Sequence, residues 1–436
     1  MNTLMATLLR IGLLLVLFTS WNLASSAEIP KEELLRQAGR CRTLLRSSVV
    51  GFYLPHCVDP VNGGYFESLR DGHFAPMGQK FLTLQARQVW SFSTFAQEGI
   101  DRAASLAAAK SGFDFLESKF RDHKLGGYFA KVSDEGKPID TRKHAYLNSF
   151  ALYGLVAYHR ATGDSRALRA AKDLFGILET HFHDAVNGGY QEFLQRDWRP
   201  VSDSKEAGYV GALGTKTYNT HLHLLESFAE LYRVWPDPLL ARRLQELITI
   251  NTSTVMDPTH HCNLDGWHPN WQRVESVPNL RASYGHDVEC VWLVFDAADT
   301  VGTSSGTLRS WGEALAGYSL KYGFDRERGG FFYTGPFGKP ADDTRKEWWV
   351  QAEALVGMLT LYHATGNSDY YDAFSRTLDF IEQYQIAPGG SWWATRNADG
   401  SVAQNTSRTS MWQGAYHNGR ALLWSAKLLE ATARSR

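Results

Sequence analysis

The chain is poor in cysteine and shows no bias of charge. Its 436 residues hold four cysteines, Cys41, Cys57, Cys262 and Cys290, and no Cys-x-x-Cys pair. That excludes a zinc ribbon and a thioredoxin-type redox site. The spacing is not a disulfide framework, so buried free thiols are expected even in an oxidising compartment. Lys plus Arg is 45 against 46 for Asp plus Glu, a net charge of −1. No basic excess is available to attract nucleic acid or an anionic membrane. A phosphate-binding loop, a dinucleotide fingerprint and a His-Glu-x-x-His motif are all missing, and no cofactor is called for. There is also no Pro/Ser-rich linker and no low-complexity tract, which argues for one domain over residues 28–436.

Long apolar runs are missing too, except at the N-terminus. Arg10 precedes Ile11-Gly12-Leu13-Leu14-Leu15-Val16-Leu17-Phe18, and Ala24-Ser25-Ser26-Ala27 follows. The run is short of the roughly 20 residues a spanning helix needs. With small residues before Ala27, it reads as a secretory signal peptide over residues 1–27. The expected location is periplasmic or secreted, without stable membrane association after cleavage.

What is present is a repeat. Gly-Gly followed by an aromatic occurs at Gly63-Gly64-Tyr65, Gly126-Gly127-Tyr128, Gly188-Gly189-Tyr190 and Gly329-Gly330-Phe331. A looser copy is Gly389-Gly390 with Trp392 and Trp393, and a worn copy is expected at Asp265-Gly266-Trp267. Six units of about 60 to 65 residues therefore fill the chain. Each unit reads as a partly polar helix, a Gly-Gly hairpin and a mostly apolar helix. In the second unit these are Ala103 to Lys119, the hairpin from Gly126, and Ala145 to Ala161, which ends at a Gly163 stop signal. Six pairs with apolar inner members predict an all-α (α/α)6 barrel with short β-hairpins on one rim.

Each inner helix begins with polar residues just after its hairpin. They include Arg87, Tyr146, Asn219, His221, His223, His286, Glu289, Trp349, Glu353, His417 and Arg420. Asn219 and His223, and Trp349 and Glu353, are four apart; His286 and Glu289, and His417 and Arg420, are three apart, so each pair shares a helix face. His221, two residues from His223, points elsewhere. Buried polar groups are costly unless partnered, and a single shared cavity accounts for all of them. His159 and His363, at the far ends of inner helices, are read as structural. His260-His261-Cys262 is the one softer-metal candidate, but tight three-ligand geometry is not evident, and no metal is expected.

Histidines facing one cavity suit proton transfer near neutral pH. Two of them on opposite sides of a carbon alpha to a carbonyl would invert it. The enediolate formed at C2 of an opened reducing sugar would need a fixed cation, for which Arg87 is placed. Two other readings are glycoside hydrolysis by a carboxylate pair drawn from Glu226, Glu289 and Glu353, and a non-catalytic sugar-binding protein.

The islands Asn219-Thr-His-Leu-His223, Ser283-Tyr-Gly-His-Asp-Val-Glu289, Trp348-Trp-Val-Gln-Ala-Glu353 and Tyr416-His-Asn-Gly-Arg420 resemble the N-acylglucosamine 2-epimerase superfamily, most of all its cellobiose 2-epimerase branch. The resemblance covers essentially all of the chain after residue 27. It implies His286 and His417 as the acid/base pair at C2, Arg87 beside the enediolate, and His223 assisting ring opening. It implies that Tyr146 and Asn219 bind the sugar and that Glu289 orients or polarises His286. Trp412 and either Trp349 or Trp348 would stack on sugar rings. Glu353 and Arg420 complete the expected substrate-binding set. The implied partner is a small reducing sugar, a disaccharide. The monosaccharide epimerases and the mannose-type aldose–ketose isomerases share the same enediolate. Gly414-Ala415 departs from the disaccharide branch, where a proline often precedes the Tyr-His pair.

Overall fold

The structure is a computed structural model and describes residues 28–202 and 208–436. The signal-peptide reading concerns residues 1–27, outside the described residues. No described helix is long and apolar enough to cross a membrane. Among the described residues, twelve long helices alternate between an outer and an inner layer. They are α1 (Lys31–Leu44), α2 (Leu82–Gln97), α3 (Arg102–Phe115), α4 (Ala145–Thr162), α5 (Ser165–Ile177), α6 (Tyr218–Val234), α7 (Pro238–Thr249), α8 (Tyr284–Thr300), α9 (Arg309–Tyr322), α10 (Trp348–Thr365), α11 (Ser368–Phe380) and α12 (Tyr416–Arg434). The even-numbered helices touch in order around a ring, and α12 returns to α2. Each odd-numbered helix covers the inner helix before it, and α1 covers α12, so the first and last helices close the barrel. This is the expected (α/α)6 architecture.

Composition sorts the two layers. In α2 every residue from Leu82 to Ala96 is buried. Outer helix α5 buries only Ala167, Ala170, Ala171, Leu174 and Phe175, one stripe at helical spacing. The corner between layers is also written locally. Gly163 takes φ 75° at the end of α4, and Asp164 then caps α5 by accepting from Arg166 N. Close approach inside the ring needs glycine: a Cβ on Gly154 would lie 2.7 Å from Ala86 O, and one on Gly357 2.4 Å from Val288 O.

The Gly-Gly turns sit at the end where the inner helices start. At Gly329-Gly330 both residues have positive φ, and a Cβ would meet Arg376 O at 2.3 Å or Gln351 Oε1 at 2.6 Å. Asp325 opens this turn and accepts from Glu327 N and Arg328 N. Buried Lys346 donates to Asp325 Oδ2 and to Gly329 O, both at 2.7 Å. Gln351 of α10 then pairs with both main-chain groups of Phe331 at 2.7 Å. The same lock recurs with Asp59, Lys80 and Gln85, and with Asp122, Lys143 and Asn148. In the third unit it uses Asp184, Lys216 and His221.

Three expectations need correction. The worn fourth copy is not Asp265-Gly266-Trp267. The turn hydrogen bonds instead join Asp257 to His261 and Cys262, and the bridge runs from Met256 to Asn263. His261, at φ 57°, holds a position that glycine holds elsewhere. In the sixth unit the matching residues are Gly390-Ser391-Trp392, one residue later than read. The hairpins are also less self-contained than expected. Regular ladders join neighbouring units, such as Lys143-His144 with Phe193-Leu194 and Lys346-Glu347 with Thr395-Arg396. Four units keep only isolated bridges of their own, for example His183 with Tyr190 and Leu194 with Pro200. All four cysteines are buried and free.

The lock predicts a stability effect remote from any chemistry. Lys346→Met leaves the Asp325 carboxylate and Gly329 O without their buried donor. It should cost about 3 kcal/mol, read as a lowered midpoint in denaturant unfolding. An unchanged midpoint would show that the lock contributes nothing.

Candidate active site

Where the inner helices begin, the ring encloses a cavity of about 440 Å³. Its wall holds Arg87 from α2, Tyr146 from α4, Asn219 and His223 from α6, His286 and Glu289 from α8, Trp348 and Trp349 from α10, and Trp412 and His417 beside and on α12. Ten of the twelve residues expected at the site are thus brought together. The other two, Glu353 and Arg420, are fully buried beneath the wall rather than on it. Their side chains are turned toward other protein groups, as follows.

The Arg420 guanidinium is the centre of this lower layer. It donates to Glu289 Oε1 at 3.0 Å, to Glu353 Oε1 at 2.8 Å, and also to Glu226 Oε1 and the Tyr416 hydroxyl. Glu353 accepts from Trp292 Nε1 at 3.0 Å and faces His417 Nδ1 at 2.6 Å. Glu226 faces His223 Nδ1 at 2.8 Å. An ionised carboxylate only accepts, so Nδ1 of His223 and His417 carries the proton and Nε2 keeps the lone pair.

The carboxylates differ in charge. Burial raises Glu226, but Arg420 and the His223 hydrogen bond overcome it and hold it near 2. Burial and the neighbouring Glu353 push Glu289 well above the usual carboxylate range, and its Oε2 has no partner. Burial raises Glu353 as well, but Arg420 and the Trp292 hydrogen bond oppose it, so of the two Glu289 is the one that holds a proton. Burial, Arg87 and Arg420 keep His417 well below its ordinary value, and burial lowers His286 to about 3. Both imidazoles rest neutral.

Arg87 donates to Trp412 O at 3.2 Å and to the Tyr146 hydroxyl at 3.1 Å, and it lies over the Phe150 ring at 4.1 Å. Its Nε and the Asn219 Oδ1 are buried without partners, beside the cavity both residues line. The Trp349 ring lies 4.5 Å from His286 and 6.1 Å from His417, close to both. Trp348 is edge-on to His417 at 6.3 Å. One expected contact is absent: Glu289 does not hold His286. The nearest hydrogen-bonding group to His286 Nδ1 is Ser283 Oγ at 2.9 Å, and Glu289 turns to Arg420.

Val210, Tyr333, Arg345 and Glu347 also line the mouth and were not anticipated. A signal existed: Arg345 and Glu347 flank the lock residue Lys346, as Arg142 and His144 flank Lys143. Glu226 was read only as a possible hydrolytic carboxylate, although it lies three residues from His223. His221 points away from the cavity, accepting from Tyr190 N at 2.8 Å. His159 and His363 bond Asp164 O and Thr432 Oγ1, far from the cavity. His260 is engaged by Asp257. Among the described residues, Glu289, Glu353 and His417 come within metal-ligand distance of one another, but the Arg420 cation already lies on both carboxylates.

The charge assignment has a pH signature. Glu289 keeps its proton in the fold while the unfolded chain ionises near the usual carboxylate pKa, so it subtracts stability increasingly as pH rises above that point. Glu226 is the reverse: its contribution is complete above the unfolded pKa and is lost as pH falls toward about 2. Glu289→Gln, which cannot ionise, should gain thermal stability relative to the parent between pH 5 and pH 8. A gain that is flat or shrinks with pH would show that Glu289 is ionised in the fold.

The pattern of the N-acylglucosamine 2-epimerase (GlcNAc 2-epimerase) family matches residues 63–419. A cellobiose 2-epimerase of Bacteroides fragilis is 32% identical over 398 residues, 90% of this chain and 97% of that one. A cellobiose 2-epimerase of Ruminococcus albus is 30% identical, covering 83% of this chain and 91% of its own. The solved cellobiose 2-epimerase of Bacillus thermoamylovorans superposes with a TM-score of 0.82 at 30% identity, over 89% of this chain and 98% of that one. A family pattern that runs through every cavity-bearing inner helix, with relatives matched along nearly their whole length, places the chain in the N-acylglucosamine 2-epimerase family of isomerases.

Proposed function

We propose that the protein inverts C2 of the reducing-end residue of a disaccharide of the cellobiose or mannobiose type. The observation that carries this is the pair His286 and His417, which line one cavity with Arg87 and both lie close to the Trp349 ring. The cellobiose 2-epimerases similar to this chain support the disaccharide as substrate.

The sugar enters as its ring form, and His223, with its Nε2 free, assists ring opening to the aldehyde. One imidazole takes the C2 proton. The C2–H electrons form a C1=C2 double bond, and O1 becomes an enediolate oxygen beside the Arg87 guanidinium. The other imidazole, neutral at rest, has to take up a proton on Nε2 before the step; it gives that proton to C2 from the opposite face, and C1=O re-forms. The two imidazoles end with exchanged protonation states, so no net proton is consumed. Tyr146 and Asn219 bind the sugar, and Trp349 and Trp412 offer ring faces for stacking. Glu353 and Arg420 act from below by fixing His417 and the carboxylates.

Hydrolysis fits less well. It wants two carboxyl groups flanking the scissile bond, at least about 5 Å apart. Here Glu226, Glu289 and Glu353 converge on a single guanidinium, and of the three only Glu289 lines the cavity.

Incubation with cellobiose, mannobiose, mannose and N-acetylglucosamine in D2O, followed by NMR, tests the reading. Deuterium at C2 of a disaccharide epimer is expected. A ketose product would make the enzyme an isomerase of the aldose–ketose kind, and free monosaccharides would make it a hydrolase. His286→Ala and His417→Ala should each lower kcat/KM by about 10²–10⁴-fold with the circular dichroism spectrum unchanged. His159→Ala should stay active. Near-parental turnover in either of the first two would remove that histidine from proton transfer.

A further inference from the structure

Two of the inner helices that enter the cavity with a histidine start on a hydroxyl residue, and the two hydroxyls behave differently. Thr217 at the N-cap of α6 accepts from Thr220 N at 3.1 Å, as an N-cap side chain ordinarily does. Ser283 is the N-cap of α8 and makes no capping hydrogen bond. Its Oγ lies instead 2.9 Å from Nδ1 of His286, three residues further on. A favourable helix cap is given up, and the hydroxyl is spent on the imidazole.

His286 differs in this from the other cavity histidines. Nδ1 of His223 faces the Glu226 carboxylate and Nδ1 of His417 faces the Glu353 carboxylate. Among the described residues, Ser283 is the one hydrogen-bond partner of the His286 ring. The other elements packed around it supply aromatic contact and distant charge. From α6, the Tyr218 ring lies 6.0 Å away and its hydroxyl donates to His286 O at 2.8 Å. From α10, the Trp349 ring lies 4.5 Å away. The charged or titratable groups that act on the ring through space are His223 of α6, Glu353 of α10 and Arg87 of α2. None of them holds it in place.

We propose that Ser283 is the positioning residue of His286: its hydroxyl accepts from Nδ1–H, leaves Nε2 to the substrate, and does so without adding charge. The inference rests on the acid/base reading of His286. A hydroxyl can accept from Nδ1–H whether Nε2 is bare or protonated, so it holds the ring through both halves of a proton cycle. A carboxylate in its place would favour the imidazolium and so trap the proton on His286. The uncharged partner keeps His286 ready to take a proton and ready to release it.

Ser283→Ala, Ser283→Thr and Ser283→Asp test this, together with nitrogen-15 NMR of the histidine side chains. The parent should show His286 as the Nδ1–H tautomer, and Ser283→Ala should show a mixture of tautomers. In Ser283→Ala, kcat should fall about tenfold with KM within about twofold, and Ser283→Thr should restore it. Ser283→Asp should move the acidic limb of the kcat/KM profile to higher pH, a change that a merely structural role would not produce. Parental kcat and parental His286 signals in Ser283→Ala would overturn the proposal. So would a failure of Ser283→Thr to recover either. If the parent exchanges no C2 proton in any sugar, the functional reading fails. The tautomer measurement still decides the role of Ser283 in that case.

Discussion

A single buried cation organises the centre of this barrel. Arg420 on α12 is buried, and three glutamates from α6, α8 and α10 surround its guanidinium. Burying a guanidinium costs several kcal/mol unless it is paired and hydrogen-bonded, so the geometry around it is strongly constrained. Arg420 holds Glu226 ionised, burial raises Glu353 and raises Glu289 further, and the imidazoles favour the neutral form. The carboxylates that neutralise Arg420 are also those that fix His223 and His417. Removing the cation would therefore disturb the ring packing and the tautomers of two imidazoles together.

The same economy governs the rim. Each Gly-Gly turn presents main-chain groups that would be orphaned when neighbouring units pack. In four units a buried lysine, an aspartate and an amide or imidazole from the inner helix satisfy them. The repeat was therefore readable from its glycines, but its chemistry lay in residues about twenty positions downstream. The spacing from Asp59 to Lys80, Asp122 to Lys143 and Asp325 to Lys346 is constant, at 21 residues. The fourth unit has no lysine at that spacing from Asp257, so this ruler does not reach it. Aligning on glycine failed there because His261 takes the left-handed conformation that glycine takes elsewhere. The wide π turns that end outer helices, such as Leu178–Phe182 and Ile381–Gln385, left no trace in the apolar periodicity.

Site residues were legible to the extent that helical spacing is. Positions three or four apart share a face, which correctly separated His223 from His221. The premise that all the polar residues at the helix starts serve one cavity was too generous. Gln85, Asn148, His221, Asp287 and Gln351 face back toward their own turns. Depth was not legible at all. Glu289 and Glu353 look equivalent in sequence, yet one lines the cavity and the other lies under it. The same holds for His417 and Arg420, three residues apart on one helix. The partner of His286 was missed because a serine at a helix start reads as a cap.

The two proton-transfer groups proposed here are unequal, one backed by a carboxylate and the other by a hydroxyl. An epimerase that runs in both directions does not need them to match. The equilibrium between C2 epimers belongs to the sugars, and the enzyme cannot move it. What unequal partners change is the population of the two singly protonated forms of the free enzyme, one for each imidazole. Each epimer reacts with only one of those states, because the imidazole on the side of its C2–H must arrive bare. A bias in that population reduces the apparent affinity for one epimer by the fraction of competent enzyme. The balance of kcat against KM for the opposite direction must shift to compensate. The choice of Nδ1 partner is thus a means of tuning an epimerase to the sugar that is scarcer around it, with the catalytic imidazoles themselves unchanged.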